Sequence, residues 1–350
     1  MWTKILLLVF VFSFIFKPDY SFDQDLGRHL KLGGIIWQTK SVPATNLFSY
    51  TNPNFPFINT HWLFEVWAYL VSQTAGLNSL LILKLIIYLA SVWLILKVVP
   101  KKNSALLLPV GFIFFHTLRE RTELRPEIFS FLFTASTYYI LERYLRGPTK
   151  LVFLLPFIQL IWINTHIYFF VGLILQAIFL LRLPLKKISI IIFLLSSLAS
   201  LLNPHGLTNL LYPLNVTKNY GYTIVENQTM FLLESINFQD PNFIWVKISI
   251  AIIALSFMVV FLKRKFDIKN ILLAGFGAAL ALMNVRSFPY LVFISLPAVL
   301  QNFGNFRPKW IAQTLAVIAV IFLILESFNN FKVNQFPNLR FEESGKKAMD

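Results

Sequence analysis

The chain of 350 residues is 57% hydrophobic and 13% charged, with a mean hydropathy of +0.66. The absence of cysteine from the sequence excludes disulfides, thiolate catalysis and cysteine-ligated metals. A net charge of +15 would indicate nucleic-acid binding in a soluble domain, but here it reflects basic loops between apolar runs, so we expect no nucleic-acid partner.

The apolar runs predict an all-α polytopic integral membrane protein with about eleven transmembrane helices, in a range of about ten to twelve. The first run contains a single Lys4 and lacks the small-residue cleavage pattern of a signal peptide, so we expect an uncleaved anchor with a cytoplasmic N-terminus. The predicted spans are 2–16, 77–99, 105–118, 128–145, 151–163, 167–181, 188–202, 243–262, 271–285, 288–303 and 311–325.

Long polar intervals lie on one predicted face of the membrane, and short basic loops lie on the other. The long intervals are the outer loops 18–76 and 203–242. Because short loops rich in Lys and Arg stay in the cytoplasm, the long loops are predicted to be extracytoplasmic. Residues 1–325 would form one transmembrane domain, and 326–350 an extracytoplasmic tail that we interpret as the start of a missing C-terminal domain.

Two carboxylates, Asp23 and Asp25, open the first outer loop. Residues i and i+2 of an extended segment point the same way, so the pair could share a proton or a divalent metal ion such as Mg²⁺ or Mn²⁺. The alternative is that an Asp caps the helix that follows. That helix is predicted to lie in the membrane interface because it has one apolar face. The face consists of Leu26, Leu30, Gly33 and Trp37.

Basic residues at the predicted outer face are candidates for binding a phosphate group. Arg121 and Arg125 lie in a charged turn that also contains Arg119, Glu120, Glu123 and Glu127, so mutual ion pairing of a short loop is the alternative. Arg286 stands alone at the outer end of a span, and Lys84 lies within the outer half of another. An ionisable residue inside a span is functional by default, although Lys84 could also snorkel to the interface.

All five histidines fall on or near the outer face, so titratable groups are concentrated there, and four of the five are candidates for a binding pocket. The longer outer loops offer a simpler explanation, because they hold more polar residues of every kind. Polar residues at span ends, such as Asn164 and His166, could instead be structural hydrogen-bonding groups. The candidate pocket residues are His29, His61, Trp62, Asn164, His166 and His205.

Several strings together resemble bacterial GT-C membrane glycosyltransferases, the superfamily of protein O-mannosyltransferases, aminoarabinose transferases and oligosaccharyltransferases. The first outer loop carries the clearest similarity, and the later strings resemble an uncharacterised bacterial branch. The similarity extends to about Pro297 and is specific as a set. The strings are FDQDLGRHLKLGG, VPATNLFSYTNPNFPFINTHWLFEVWAYL, ELRPEIFSFLF, WINTHIYFFVGL, LLNPHGLTNLLYPL and NVRSFPY.

The resemblance implies an inverting transfer of a sugar from a polyprenyl-phosphate donor to a glycan, lipid or protein acceptor on the extracytoplasmic face of the bacterial cytoplasmic membrane. In that superfamily an acidic residue opening the first outer loop acts as base or metal ligand, which corresponds to Asp23 or Asp25. Outer basic residues hold the donor phosphate, which corresponds to Arg121, Arg125 and Arg286. The alternatives are a transporter or flippase of lipid-linked glycans and a non-catalytic membrane assembly factor.

Overall fold

A computed structural model describes residues 2–17, 25–52, 54–99, 104–183, 186–215, 224–264, 266–304 and 309–335. Within these residues the predicted all-α class is confirmed. The fifteen α-helices are α1 (Trp2–Ile15), α2 (Leu26–Thr39), α3 (Trp62–Ala75), α4 (Leu77–Val98), α5 (Ser104–His116), α6 (Glu127–Arg146), α7 (Leu155–Thr165), α8 (Phe170–Leu180), α9 (Lys186–Ala199), α10 (Leu207–Asn215), α11 (Met230–Ser235), α12 (Asn242–Leu262), α13 (Ile268–Met283), α14 (Leu296–Phe303) and α15 (Lys309–Gln335).

Three helices of the described chain are long and apolar enough to cross a membrane: α4, α12 and the Trp310–Val333 part of α15. They expose large apolar side chains such as Phe261 and Phe322, which suits contact with lipid. These helices suggest a membrane protein. The predicted tail begins inside α15, which continues to Gln335, while 336–350 lie outside the described residues.

Most of the other predicted spans correspond to shorter helices. Helices α7 and α8 have 11 residues each, and α14 has 8, whereas a helix that crosses a bilayer needs roughly 20. Short 3-10 segments precede α7 and α8, and a π-helical segment, Leu291–Ser295, precedes α14. These local changes of helical geometry are invisible to hydropathy, so the sequence predicts longer helices than the structure contains.

Helix α6 lies in the core, and its aromatic contacts hold the segment that follows α13 against it. Phe131 of α6 stacks on Phe293 with ring centroids 5.1 Å apart, and its ring also packs edge-on against Tyr290. Tyr88 of α4 packs against the same Phe131 ring. This packing places the N-terminal end of α6 beside the turn that joins α13 to the π-helical segment.

Polar contacts between distant elements form two separate sets. Helix α13 illustrates the separation, because two basic residues lie at its opposite ends. Lys269, at its start, contacts Glu142 near the end of α6, and Arg286 lies just after its end. One set joins residues in predicted cytoplasmic loops or at the cytoplasmic ends of predicted spans: Glu142–Lys269, Arg146–Val98 and Arg182–Asp267. The other joins residues in predicted outer segments or at the outer ends of predicted spans: Lys17–Thr122, Asn59–His205, Trp62–Asn164, His116–Glu326 and Glu120–Asn242.

Two consecutive glycines bring α2 into close contact with α3. A Cβ atom on Gly33 would overlap the backbone carbonyl of Glu65 and lie 2.9 Å from the Cβ of Tyr69. A Cβ on Gly34 would meet the Tyr69 ring at 3.0 Å. The small residues therefore allow the two helix backbones to approach each other. Because His29 lies one turn before Gly33, this approach places its imidazole beside Glu65.

Replacement of Gly33 by Val should force α2 away from α3 and destabilise the protein by about 1–3 kcal/mol or more, the usual effect of overpacking. The measurement is thermal unfolding of the purified chain in detergent. Gly27→Ala is the matched control, because no atom lies within 4 Å of its added Cβ and Ala favours a helix over Gly by about 0.5–1 kcal/mol. Equal melting temperatures for Gly33→Val and the wild type would contradict the close approach.

Candidate functional site

A buried carboxylate and two imidazoles meet where α2 faces the start of α3. Glu65, in the first turn of α3, is fully buried, and its Oε1 lies 3.0 Å from Nδ1 of His29. The Asn59 side chain donates a hydrogen bond of 2.6 Å to the other carboxylate oxygen. The ring of His61 lies edge-on to that of His29, with centroids 5.3 Å apart. We call His29, His61 and Glu65 the histidine–glutamate cluster.

The electrostatics of this cluster are unusual for a buried carboxylate. Among the described residues, no Lys or Arg lies within ion-pair distance of Glu65, and burial raises the pKa of its carboxyl. Burial also lowers the pKa of His61 to about 4, so its imidazole is neutral at pH 7. One ligand atom from each of the three side chains lies within 4.8 Å of the others. The cluster therefore has the composition and the spacing of a metal site.

Three further predicted pocket residues surround the cluster. The indole of Trp62 donates a hydrogen bond of 2.8 Å to Asn164 Oδ1, and the Asn59 backbone N–H donates to His205 Nε2 at 3.3 Å. Asn164 also donates to the carbonyls of Leu160 and Leu202. Five of the six residues predicted to form a pocket therefore lie together, and Asn164 makes the structural hydrogen bonds of the alternative interpretation.

His166 belongs to a separate buried network. Its Nδ1 lies 2.7 Å from Ser130 Oγ, and its ring stacks on Tyr168 at 5.3 Å. Tyr168 in turn stacks on Tyr290 at 5.1 Å, and its hydroxyl lies 2.7 Å from Ser287 Oγ. These contacts link the tip between α7 and α8 to the turn that carries Arg286. His166 thus acts as a structural hydrogen-bonding group in this structure.

Three arginines from two distant parts of the chain converge on one carboxylate, Glu226. Arg121 Nη2 lies 2.8 Å from Glu226 Oε2, and Arg286 Nη2 donates to the same oxygen at 2.7 Å. Arg125 Nη1 donates to Oε1 at 3.0 Å and to Oε2 at 3.2 Å. We call Arg121, Arg125 and Arg286 the arginine cluster. The predicted phosphate-binding arginines are therefore neighbours that already surround an anionic group.

Ion pairs within the charged turn are also present, as the alternative interpretation expects. Arg121 Nε lies 3.6 Å from Glu127 Oε1, with both side chains buried, and Arg125 Nε lies 3.7 Å from the more exposed Glu123. Glu226 comes from a distant loop, which is held by a hydrogen bond of 3.0 Å from Val285 N–H to the Gln228 carbonyl. Local ion pairing therefore accounts for only part of the cluster.

The arginine cluster keeps Glu226 ionised and retains an unused donor. Burial opposes ionisation, but the hydrogen bonds and charges of Arg121 and Arg286 lower the pKa of Glu226 to about 2. The Nε group of Arg286 is buried and makes no hydrogen bond to a described residue, whereas Nε of Arg121 faces Glu127 at 3.6 Å. Native proteins satisfy nearly all buried polar groups, so the Arg286 donor can take an additional acceptor once neighbouring side chains move.

Among the predicted catalytic and phosphate-binding residues, Lys84 and Asp25 are described and lie outside both clusters. Lys84 is buried and donates to the Ile15 carbonyl at 3.3 Å, so it contacts the end of α1 and does not join the arginine cluster. Asp25 is half-exposed at the start of α2, 3.5 Å from Arg28, and makes no capping hydrogen bond to the described backbone. Asp23, with the predicted metal site that it would share with Asp25, lies outside the described residues.

The two clusters belong to one region of the molecule. Besides burial, the charges of Arg28 and Arg286 contribute to the low pKa of His61. Arg28 also pairs with Asp25, so the candidate base, the histidine–glutamate cluster and the arginine cluster are electrostatic neighbours. Together they provide a carboxylate near the surface, a potential metal site and a concentration of positive charge.

Sequence reasoning did not single out Glu65 and Glu226, the carboxylates at the centres of the two clusters. Glu65 is the one charged residue of helix α3, WLFEVWAYLVSQTA, whose other residues are mostly apolar or aromatic. This contrast could have identified it as a candidate from the sequence. Glu226 lies in a long polar loop without a local pattern that distinguishes it.

No family model matches the chain, and neither a curated protein nor a solved structure shows significant similarity to it. The resemblance to GT-C glycosyltransferases therefore remains a prediction that rests on the strings quoted above.

Proposed function

We propose that the chain is a membrane glycosyltransferase of the GT-C type that transfers a sugar from a polyprenyl-phosphate donor to an acceptor hydroxyl or amine. The observation that carries this proposal is the arginine cluster. Three guanidinium groups surround one carboxylate, and Arg286 retains a buried Nε donor without a described acceptor. Arginine donors in this arrangement suit the several oxygens of a phosphate group.

The proposed topology has about eleven spans in the bacterial cytoplasmic membrane, with a cytoplasmic N-terminus and an extracytoplasmic site. The two separate sets of polar contacts support it, because each set joins only loops and span ends predicted on the same side. The exposed apolar surfaces of α9 and α12 also support it, with side chains such as Leu198, Phe261 and Leu262. The shorter helices would cross the apolar layer together with the 3-10 or π-helical segments that adjoin them.

In the proposed reaction, the donor enters laterally from the bilayer and its phosphate binds the arginine cluster. Asp25 accepts the proton of the acceptor hydroxyl while the acceptor oxygen forms a bond to the anomeric carbon. The bond from that carbon to the phosphate oxygen breaks, and the phosphate leaves with the electron pair. The arginines stabilise the charge on the departing phosphate, and direct displacement inverts the anomeric configuration.

Glu226 would act as the resident counter-ion of the arginine cluster when no donor is bound. A phosphate brings charge of the same sign, and both groups are recognised by guanidinium donors. Donor binding would therefore move the Glu226 carboxylate aside, or the phosphate would bind beside this carboxylate through the Nε donor of Arg286. In both states the three arginines would have an anionic partner.

The test measures release or transfer of sugar from a polyprenyl-phosphate sugar by the purified full-length chain. Arg286→Ala should raise the donor concentration needed for half-maximal rate by about tenfold to a hundredfold, because a hydrogen bond to a charged group contributes about 1.5–3 kcal/mol. The saturated rate should fall less, since phosphate contacts also form in the ground state.

The matched control is Arg182→Ala, which removes an arginine that pairs with Asp267 in the other set of polar contacts. It should leave the donor dependence unchanged. An unchanged donor dependence in both Arg286→Ala and Arg125→Ala would reject the phosphate site. Donor binding without any transfer would favour a transporter or flippase of lipid-linked glycans.

A further inference from the structure

The histidine–glutamate cluster contains a buried carboxyl group that has polar partners but, among the described residues, no Lys or Arg beside it. Glu65 contacts His29 and Asn59, and no Lys or Arg of the described chain lies within 4.0 Å of its carboxylate. A carboxylate removed from water is costly unless it pairs with a positive charge or coordinates a metal ion. The second imidazole, that of His61, faces the same carboxylate without being needed for its hydrogen bonding. These features are the starting point for the inference.

We propose that His29, His61 and Glu65 bind a divalent transition-metal ion, with Zn²⁺ as the best match. Their ligand atoms lie within 4.8 Å of one another. Atoms about 2 Å from a tetrahedral zinc ion are about 3.3 Å apart, so small side-chain movements would close the site. His29 Nδ1 and Glu65 Oε1, 3.0 Å apart, are already near that spacing.

The residues around the cluster provide the supporting contacts that metal ligands need. The Asn59 amide donates to the Glu65 oxygen that is not paired with His29, which leaves Oε1 as the metal ligand. Thr60 Oγ1 lies 2.8 Å from His61 Nδ1, so we assign Nε2 of His61 to the metal. Outer contacts of this kind fix the tautomer and the orientation of ligating side chains. Asn59 and Thr60 are themselves buried.

The ligand chemistry separates this site from the Mg²⁺ or Mn²⁺ site expected at Asp23 and Asp25. Two imidazoles and one carboxylate suit zinc and similar transition metals, whereas magnesium prefers oxygen ligands throughout. Three protein ligands leave a fourth position for water or substrate, as in catalytic zinc sites. A metal here would lower the pKa of a bound water or acceptor hydroxyl, and this catalytic role rests on the proposed function. Metal binding itself does not depend on the proposed function.

The experiment uses the full-length chain in detergent, purified without a histidine tag and stripped of metal with a chelator. Zn²⁺ binding is followed by calorimetry, and Co²⁺ binding by its visible absorption spectrum. We expect one ion per chain and a Co²⁺ spectrum of tetrahedral type. Glu65→Gln and His61→Ala should each weaken binding by at least about tenfold, because even supporting contacts change metal affinity by about tenfold to a hundredfold.

His116→Gln is the control, because His116 is a buried histidine outside the cluster that stacks on Trp245 and contacts Glu326. It should bind Zn²⁺ like the wild type. Asn59→Ala keeps all three ligands and should weaken binding by about tenfold to a hundredfold. Thermal unfolding without metal identifies any variant that fails to fold, and the near-isosteric Glu65→Gln is expected to fold.

Absence of stoichiometric binding to the wild type would overturn the proposal and favour a simple ion pair between protonated His29 and Glu65. Equal affinity of the wild type and both ligand variants would overturn it as well. The binding assays contain no sugar donor, so they are independent of glycosyl transfer. A protein that binds Zn²⁺ at this site but transfers no sugar would contradict the proposed function alone.

Discussion

Asp25→Asn should lower the saturated rate of sugar transfer by about a hundredfold to ten-thousandfold, the usual contribution of a general base. Asp25 is half-exposed and its nearest ionic partner is Arg28, at 3.5 Å. A carboxylate near the surface can be reached by an acceptor from solvent or from the membrane interface. Asn keeps the size of the side chain but cannot take up the proton, so the variant should fold and be inactive.

Asp25→Asn also tests the alternative role in helix capping. Asn and Asp cap helices about equally well, so capping alone predicts an active Asn variant. The described backbone donates no capping hydrogen bond to Asp25, so folding should not depend on its charge. Asp23→Asn is the matched comparison: loss in one variant identifies the base, and equal loss in both indicates a shared proton or metal. Full activity of both variants would reject the catalytic interpretation of this loop.

Local sequence patterns predicted which segments are helical, but they did not predict where a helix changes to 3-10 or π-helical geometry. The apolar face formed by Leu26, Leu30, Gly33 and Trp37 predicted a helix after Asp25, and α2 runs from Leu26 to Thr39. Hydropathy did not reveal the 3-10 turn at Ile167–Phe169 or the π-helical segment at Leu291–Ser295, because both are as apolar as the helices that they adjoin. Their hydrogen bonding is set by tertiary packing, such as the stacking of Phe131 on Phe293.

Long-range pairing explains the rest of the difference between prediction and structure. The outer-face assignment placed Arg121, Arg125 and Arg286 on one side of the protein, but it contained no information about which loops touch. Their common partner, Glu226, reaches them because the segment after α10 docks on the turn after α13 through the Gln228 carbonyl. Lys84 shows the same limit: it lies in the long apolar helix α4, but the sequence did not indicate that it contacts the end of α1.

Arg121→Met should destabilise the protein by about 3–5 kcal/mol, the usual effect of removing one partner of a buried ion pair. Arg121 and Glu127 are 2% and 6% exposed, and Arg121 Nε lies 3.6 Å from Glu127 Oε1. Met fills much of the volume of the arginine stem, so the loss comes mainly from the carboxylate left without its cation. Glu226 keeps Arg125 and Arg286 as partners and should be affected less.

The double variant Arg121→Met with Glu127→Gln should recover most of that stability, because a neutral amide replaces the uncompensated charge. Thermal or denaturant unfolding in detergent gives the free energies of unfolding for the four proteins of the cycle. Burial raises the pKa of Glu127 even beside Arg121, and removal of Arg121 should raise it further. A group with a raised pKa in the folded state binds protons preferentially there, so lowering the pH should stabilise Arg121→Met relative to the double variant. Equal loss in the single and double variants, without this pH dependence, would show that Arg121 stabilises the turn through packing and through Glu226, with no contribution from its charge on Glu127.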